Sequence, residues 1–129
     1  MKYYKVKKFA HEAKKLKILD TLLVDTLDHF LEMDSDGQQK YSLGAGLYKL
    51  RLSSNVGQGK RGGSRTILAF KSNNRVIWLH IFAKNDKDNV TTNELKKLKT
   101  LADILLDLSN SEIEKLIKLG ELYEVNDHV

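Results

Sequence analysis

The chain is read as an α+β protein, a small antiparallel sheet packed against helices on one face. Three observations predict this. Residues 46–84 contain three apolar runs of strand length, GLYKLRLS (46–53), RTILAFK (65–71) and RVIWLHIFAK (75–84). On either side of them the apolar residues recur at helical spacing. A capping signature introduces the helical stretch that follows. Strands gathered between helices suit a sheet with helical cover. At 129 residues and 41% hydrophobic, the chain can bury a core without a staple, and with no cysteine it has neither disulfides nor thiolate metal sites. One domain is expected over residues 1–129, with 111–129 as a C-terminal helical extension.

Taken in order, Tyr3 to Lys7 reads as a short strand. Phe9, Ala10, Ala13 and Leu16 have helical spacing. Asp20 is placed to cap a second helix, with the stripe Leu22, Leu23, Leu27, Phe30 and Leu31. Asp34-Ser35-Asp36-Gly37 ends it, and residues 37–45 read as a polar connector. In residues 46–53, Tyr48, Leu50 and Leu52 alternate with Lys49 and Arg51. That pattern puts the cations on the open face of a half-buried strand. The next two strands join through Ser72-Asn73-Asn74, where asparagine tolerates positive φ and a tight hairpin is expected. Residues 85–90 form a polar loop. Thr91 and Glu94 match the S/T-x-x-E capping box, ahead of Leu95, Leu98, Leu101, Ala102, Leu105 and Leu108. Ser111 and Glu114 repeat that box before Leu116, Ile117 and Leu119, and Gly120 is a helix stop.

The net charge of +5 is modest, but its distribution is uneven. Residues 1–17 hold seven cations and one acid, and residues 18–36 hold six acids and no cation. Residues 37–85 hold nine cations and no acid at all. A charge run is commonly a solvated face. The absence of partner acids over 49 residues favours a surface for a polyanion. The segment MKYYKVKKF carries charge without an apolar core, so it does not read as a secretory signal. No apolar run reaches the roughly 18 residues that span a bilayer. A cytoplasmic protein with no membrane partner is expected.

Four of the eight glycines fall in VGQGKRGGSR (56–65), among Lys60, Arg61 and Arg65. Gly57-x-Gly59-x-x-Gly62 matches the dinucleotide fingerprint by letter. It lies between two strands, however, whereas that fingerprint needs a following helix to hold the pyrophosphate. Gly59-Lys60 is followed by Arg61, so it is not a Walker loop. The remaining readings are an anion nest built from glycine N–H groups and cations, or a long hairpin loop that uses glycine for positive φ. Lys49 and Arg51 share a face of one strand, Arg65 opens the next, and His80, Phe82 and Lys84 share parity on the third. If the register gathers them, one face carries all of these cations.

Cleavage of a phosphodiester needs a base for the attacking oxygen, cations for the transition-state charge, and an acid for the leaving oxygen. Arginine suits the second role, because its fork matches two phosphate oxygens. A lysine among cations has its pKa pushed down, which suits proton exchange. RNA supplies its own nucleophile, the 2′-OH. A cationic face therefore suits RNA better than DNA. The four histidines show no metal-ligand spacing, and neither a metal nor a cofactor is expected. His80 reads either as a core or sheet residue or as a catalytic one. Trp78 reads as core, and Phe82 as core or as a stacking platform for a base.

These stretches carry a resemblance. GLYKLRL, then GQGKRGGSRTI, a hairpin and IFAKND resemble the RelE/HigB group of bacterial type II toxins, over residues 46–86. The flanking helices agree in order. The resemblance implies a RelE-like (microbial RNase-like) fold and metal-independent, ribosome-dependent cleavage of messenger RNA through the 2′-OH. It also implies a cognate antitoxin, often of the helix-turn-helix type. By the same resemblance Arg65 is the transition-state stabiliser, Lys84 the lysine of the FAKN motif and Arg51 one of the basic positions that hold RNA phosphates; Arg51 is also a catalytic candidate. Lys49, Lys60 and Arg61, with Gly59, Gly62, Gly63, Phe82 and His80, belong to the RNA-binding set. Many relatives have tyrosine at the position of Phe82, which here has no hydroxyl to exchange a proton. The rival readings are a ParE-like gyrase inhibitor, a non-catalytic RNA-binding module, and a toxin inactive for want of that hydroxyl.

Overall fold

The structure is a computed structural model and describes residues 1–52, 64–71, 75–83 and 90–126. Within these, the elements run β1 (Lys2–Val6), α1 (Lys7–Lys15), α2 (Asp20–Leu31), α3 (Ser35–Gln39), β2 (Ser42–Gly44), β3 (Leu47–Arg51), β4 (Ser64–Lys71), β5 (Arg75–Ala83), α4 (Thr92–Asp107), α5 (Asn110–Lys118) and β6 (Leu122–Glu124). The strands form one sheet in the order β2-β3-β4-β5-β1-β6. Neighbours are antiparallel except β1 and β5, which are parallel. The α+β class and the mostly antiparallel sheet are as the sequence predicts. The strands at residues 47–51, 64–71 and 75–83 lie close to their expected positions.

The expectation of helices on one face is corrected, because both faces are covered. Phe9 and Ala13 of α1, with Leu23, Val24, Leu27 and Phe30 of α2, pack over Leu50, Leu68, Val76 and Trp78. Ala102, Leu105 and Leu106 of α4 and Ile113 of α5 pack over Leu47, Ile67, Ala69 and Ile77 on the other side. The physical reason is in the central strands. Ile67-Leu68-Ala69 and Val76-Ile77-Trp78-Leu79 are continuous apolar runs, buried on both faces, and only the outer strands keep a polar alternation.

Several local expectations shift. Leu19 is the N-cap of α2 and Asp20 its first residue. The Asp20 carboxylate instead accepts from Lys5 Nζ at 2.6 Å and from the backbone N–H of Asn126 at 3.3 Å, tying α2 to the β1–β6 edge. The supposed connector at 37–45 contains more structure than its composition suggests. Asp34 caps α3 by accepting from Gly37 N–H at 2.8 Å. The hairpin from β2 to β3 turns at Ala45 and Gly46, with φ of +55° and +80°, the signs of a two-residue type I′ turn. A Cβ at Gly46 would also lie 3.2 Å from Leu106 Cδ1, so this glycine admits α4 to the sheet.

The Thr91–Glu94 capping box forms as expected. The second box lies two residues earlier than expected, at Ser109 and Glu112. Hydrogen bonds from the Ser109 backbone, then from its side chain, hold the Glu112 carboxyl below its ordinary range. Gly120, with φ of +76°, closes α5: its N–H donates to Ile117 O and that of Glu121 to Leu116 O, both at 3.0 Å. The chain then returns as β6 beside β1, where the sequence reading expects only a helical extension. The Ser72–Asn74 turn and residues 85–89 of the polar loop lie outside the described residues.

Arg75 is the one buried charged side chain among the described residues, 5% exposed at the start of β5. Its Nη1 donates to Leu105 O at 3.0 Å and to Leu108 O at 2.7 Å, and its Nη2 donates to Asn110 Oδ1 at 3.3 Å. A cation on the last carbonyls of α4 satisfies acceptors that the helix leaves open and complements its dipole. One of the nine cations in the acid-free block is therefore structural. Replacing it as Arg75→Met is expected to cost about 3 kcal/mol, because charged hydrogen bonds to buried carbonyls are lost. Urea unfolding, with the midpoint falling at unchanged slope, checks this.

α1 closes in the same geometry as α5, but with Lys17 in place of glycine at φ of +59°. Lys17→Gly is expected to raise stability by about 1 kcal/mol by removing the left-handed strain on a side chain. Thermal unfolding checks it, as an upward shift in Tm.

Candidate nucleic-acid interface

The sheet face under α4 and α5 is organised in rows across β3, β4 and β5. Leu47, Ala69 and Ile77 make the first row, beneath the helices. Lys49, Ile67 and His80 make the second, and Arg51, Arg65 and Phe82 the third. Along this direction the face changes from aliphatic to cationic.

The rows depend on an irregularity in β5. Ile67 pairs with His80 and Leu68 with Trp78, so Leu79 is an extra residue in the ladder. Simple alternation would put Trp78, His80 and Phe82 on one face. Instead Trp78 lies with α1 and α2, fully buried, while Leu79 lies with α4. Beyond the bulge the parity is reversed, and His80 and Phe82 join Lys49, Arg51 and Arg65.

The pairing between β3 and β4 also fixes how close these side chains come. The backbone bonds Leu52 N–H to Ser64 O at 2.8 Å and Phe70 N–H to Gly46 O at 2.9 Å mark the hydrogen-bonded pairs. Arg51 and Arg65 fall between such pairs. They occupy a non-hydrogen-bonded position, where Cα atoms approach to about 4.5 Å and side chains lie closest. Buried Thr66 pins the same region by donating from Oγ1 to Leu50 O at 3.0 Å. Like charges directly opposite are unfavourable in a sheet. Two arginines held in this register make a strong local attraction for an anion.

Arg51 is exposed, and Lys49, Arg65 and His80 are half-buried. Arg65 Nη1 is itself buried and has no hydrogen-bond partner among the described residues. A buried guanidinium donor left unbonded is costly, and a phosphate oxygen is the kind of acceptor that satisfies it. Phe82 is only 5% exposed, and its ring lies beside that of His80, centroids 5.6 Å apart. Its ring therefore packs rather than offering an open stacking surface.

The structure thus brings together Lys49, Arg51, Arg65, His80 and Phe82. Gly59, Lys60, Arg61, Gly62, Gly63 and Lys84 lie outside the described residues. Among the described residues, no three His, Asp or Glu side chains gather as a metal site would need, and no helix is long and apolar enough to cross a membrane. One neighbouring feature has no signal in the local sequence. Lys7 and Lys8 of α1 and Lys97 of α4 border a groove of about 430 Å3 that reaches His80. The parallel pairing of β1 with β5 brings Lys7 and Lys8 there, and the packing of α4 on the sheet brings Lys97.

A family model described as the RelE toxin of the RelE/RelB toxin–antitoxin system matches residues 1–125. No curated protein matches the chain.

The third row is expected to contribute phosphate contacts. Arg51→Gln should weaken RNA binding about equally for all sequences and lower the slope of log K against log salt by about 1. Fluorescence anisotropy of a labelled RNA across a salt series checks this.

Proposed function

The chain belongs to the RelE toxin family, and on that premise we propose that it is a ribosome-dependent messenger-RNA endoribonuclease. Membership makes it the toxin component of a toxin–antitoxin system, with an antitoxin as its partner. The endonuclease reading rests on one observation above others, the close cross-strand pair of Arg51 and Arg65. Two guanidinium groups over a single phosphate match the negative charge that grows when a fifth oxygen bonds to phosphorus.

In the proposed reaction the 2′-oxygen of a ribose attacks the adjacent phosphorus. The bond from phosphorus to the 5′-oxygen breaks, leaving a 2′,3′-cyclic phosphate and a free 5′-hydroxyl. The 2′-OH loses one proton and the leaving oxygen gains one, so no redox partner or external nucleophile enters. Arg65, with its buried unbonded Nη1, is the transition-state group, and Arg51 assists it. Phe82 carries no exchangeable proton. Lys49 and His80, in one row beside the arginines, are the described groups able to exchange protons there. By the family resemblance Lys84 joins them and the loop with Lys60 and Arg61 holds flanking phosphates. In systems of this resemblance the antitoxin is often a helix-turn-helix protein, the type proposed here, and a ribosomal substrate agrees with the proposed cytoplasmic location.

Arg65→Ala is expected to lower the cleavage rate by 10²–10³-fold, the usual loss for removing one transition-state donor. The assay maps 5′ ends of a messenger RNA on translating ribosomes and, separately, as naked RNA with a chelator. Cuts confined to ribosomes and lost in the variant support the proposal. Intact messenger under conditions where the protein binds ribosomes rejects it and turns attention to gyrase.

A further inference from the structure

Beside the cationic rows lies a groove whose chemistry the phosphodiester reaction does not use. It is about 430 Å3 in volume, and Leu79, Leu98, Leu101, Leu105, Leu116 and Leu122 supply its apolar lining. Lys7 and Lys8 from the start of α1 and Lys97 from α4 stand around it, and His80 belongs to its wall. Among the described residues the one acid on its border is Glu121, which is bridged to Lys7 at 4.0 Å. Lys8 and Lys97 are both exposed. α1 begins here with no acid in its own first turn.

This combination does not suit a purely apolar occupant, which has no use for three lysines. A lone phosphate would have no use for the leucines. A nucleotide needs both: a flat apolar surface for the base and cations for the phosphate beside it. The groove is also continuous with the rows. His80 lies in its wall and, across Ile67, shares a row with Lys49, two strand spacings or about 10 Å away. An RNA strand over Arg51, Arg65 and Lys49 therefore has the groove beside it, with His80 common to both.

We infer that this groove is a nucleotide subsite. It takes one unpaired base of the RNA against the half-buried Leu98, Leu101 and Leu116, with that nucleotide's phosphate between Lys8 and Lys97. The inference rests on the proposed RNA substrate and extends it. Sequence preference is then set partly from α1 and α4, rather than by the catalytic strands alone.

The test uses the full chain carrying Arg65→Ala, labelled with ¹⁵N, so that RNA stays intact. Three probes are titrated while amide shifts are followed: adenosine 3′-monophosphate, inorganic phosphate and a tetranucleotide RNA. The nucleotide is expected to move the amides of Leu98, Leu101 and Leu116 saturably, whereas phosphate alone leaves them in place. Adding Lys8→Ala and Lys97→Ala together should weaken the nucleotide about tenfold, as expected for losing two charged contacts. Both lysines are exposed, so the fold is not at stake. Equal shifts with inorganic phosphate, or no effect of the double substitution, overturn the subsite. So does a nucleotide response confined to residues 49–51 and 64–67. The proposed RNA function survives those outcomes if the tetranucleotide still moves the rows. A tetranucleotide that moves neither surface overturns both.

Discussion

Between Trp78 and His80 the ladder to β4 admits one residue, Leu79, without a partner, and the placing of every later side chain of β5 follows from it. A two-residue period allows no gradual adjustment: one inserted residue exchanges the faces. Before the bulge Trp78 closes the core with Phe9 on the α1 side. After it, His80 and Phe82 stand on the α4 side with Lys49, Arg51 and Arg65. With an unbroken ladder, His80 and Phe82 would share Trp78's side of the sheet, and the cations would have no imidazole beside them.

The same face serves two purposes along its length. Near the first row, α4 and α5 cover it with leucine, alanine and isoleucine. Two rows further on it carries arginine against arginine. The helices are held over the aliphatic end by Arg75, whose three hydrogen bonds bind the end of α4 and the start of α5 to β5. A pairing that works against sheet stability persists beside a well-packed core, consistent with a demand for an anion-binding surface.

Family membership and geometry bear on the same region from different directions. The family match spans residues 1–125 and says that the chain is a toxin. The register of β3, β4 and β5 says which side chains share a face. Arg65 carries the most weight, because it is opposite Arg51 and holds a buried donor with no acceptor among the described residues. Phe82 carries less than its place in the sequence suggests. Its ring is buried and supports His80.

The sequence by itself determined the local features. The Thr91–Glu94 box, the Gly120 stop, the strand positions and the acid-free cationic block are short-range patterns of capping, backbone φ and charge. Each can be read without knowing what lies across the fold. The α+β class follows from their order. Contacts between distant residues were decided only in the tertiary structure. Asp20 looks like a cap until Lys5 and Asn126 reach it. Residues 122–124 look like a tail until β1 offers an edge. Arg75 looks like one more surface cation until α4 ends above it. Two covered faces were hidden because a continuous apolar run does not say which neighbours bury it. Shared strand parity suggested one face for Lys49, Arg51, Arg65, His80 and Phe82, but parity alone would also have placed Trp78 with His80. Only the bulge separates them, and it is a property of the pairing between two strands that neither strand encodes alone.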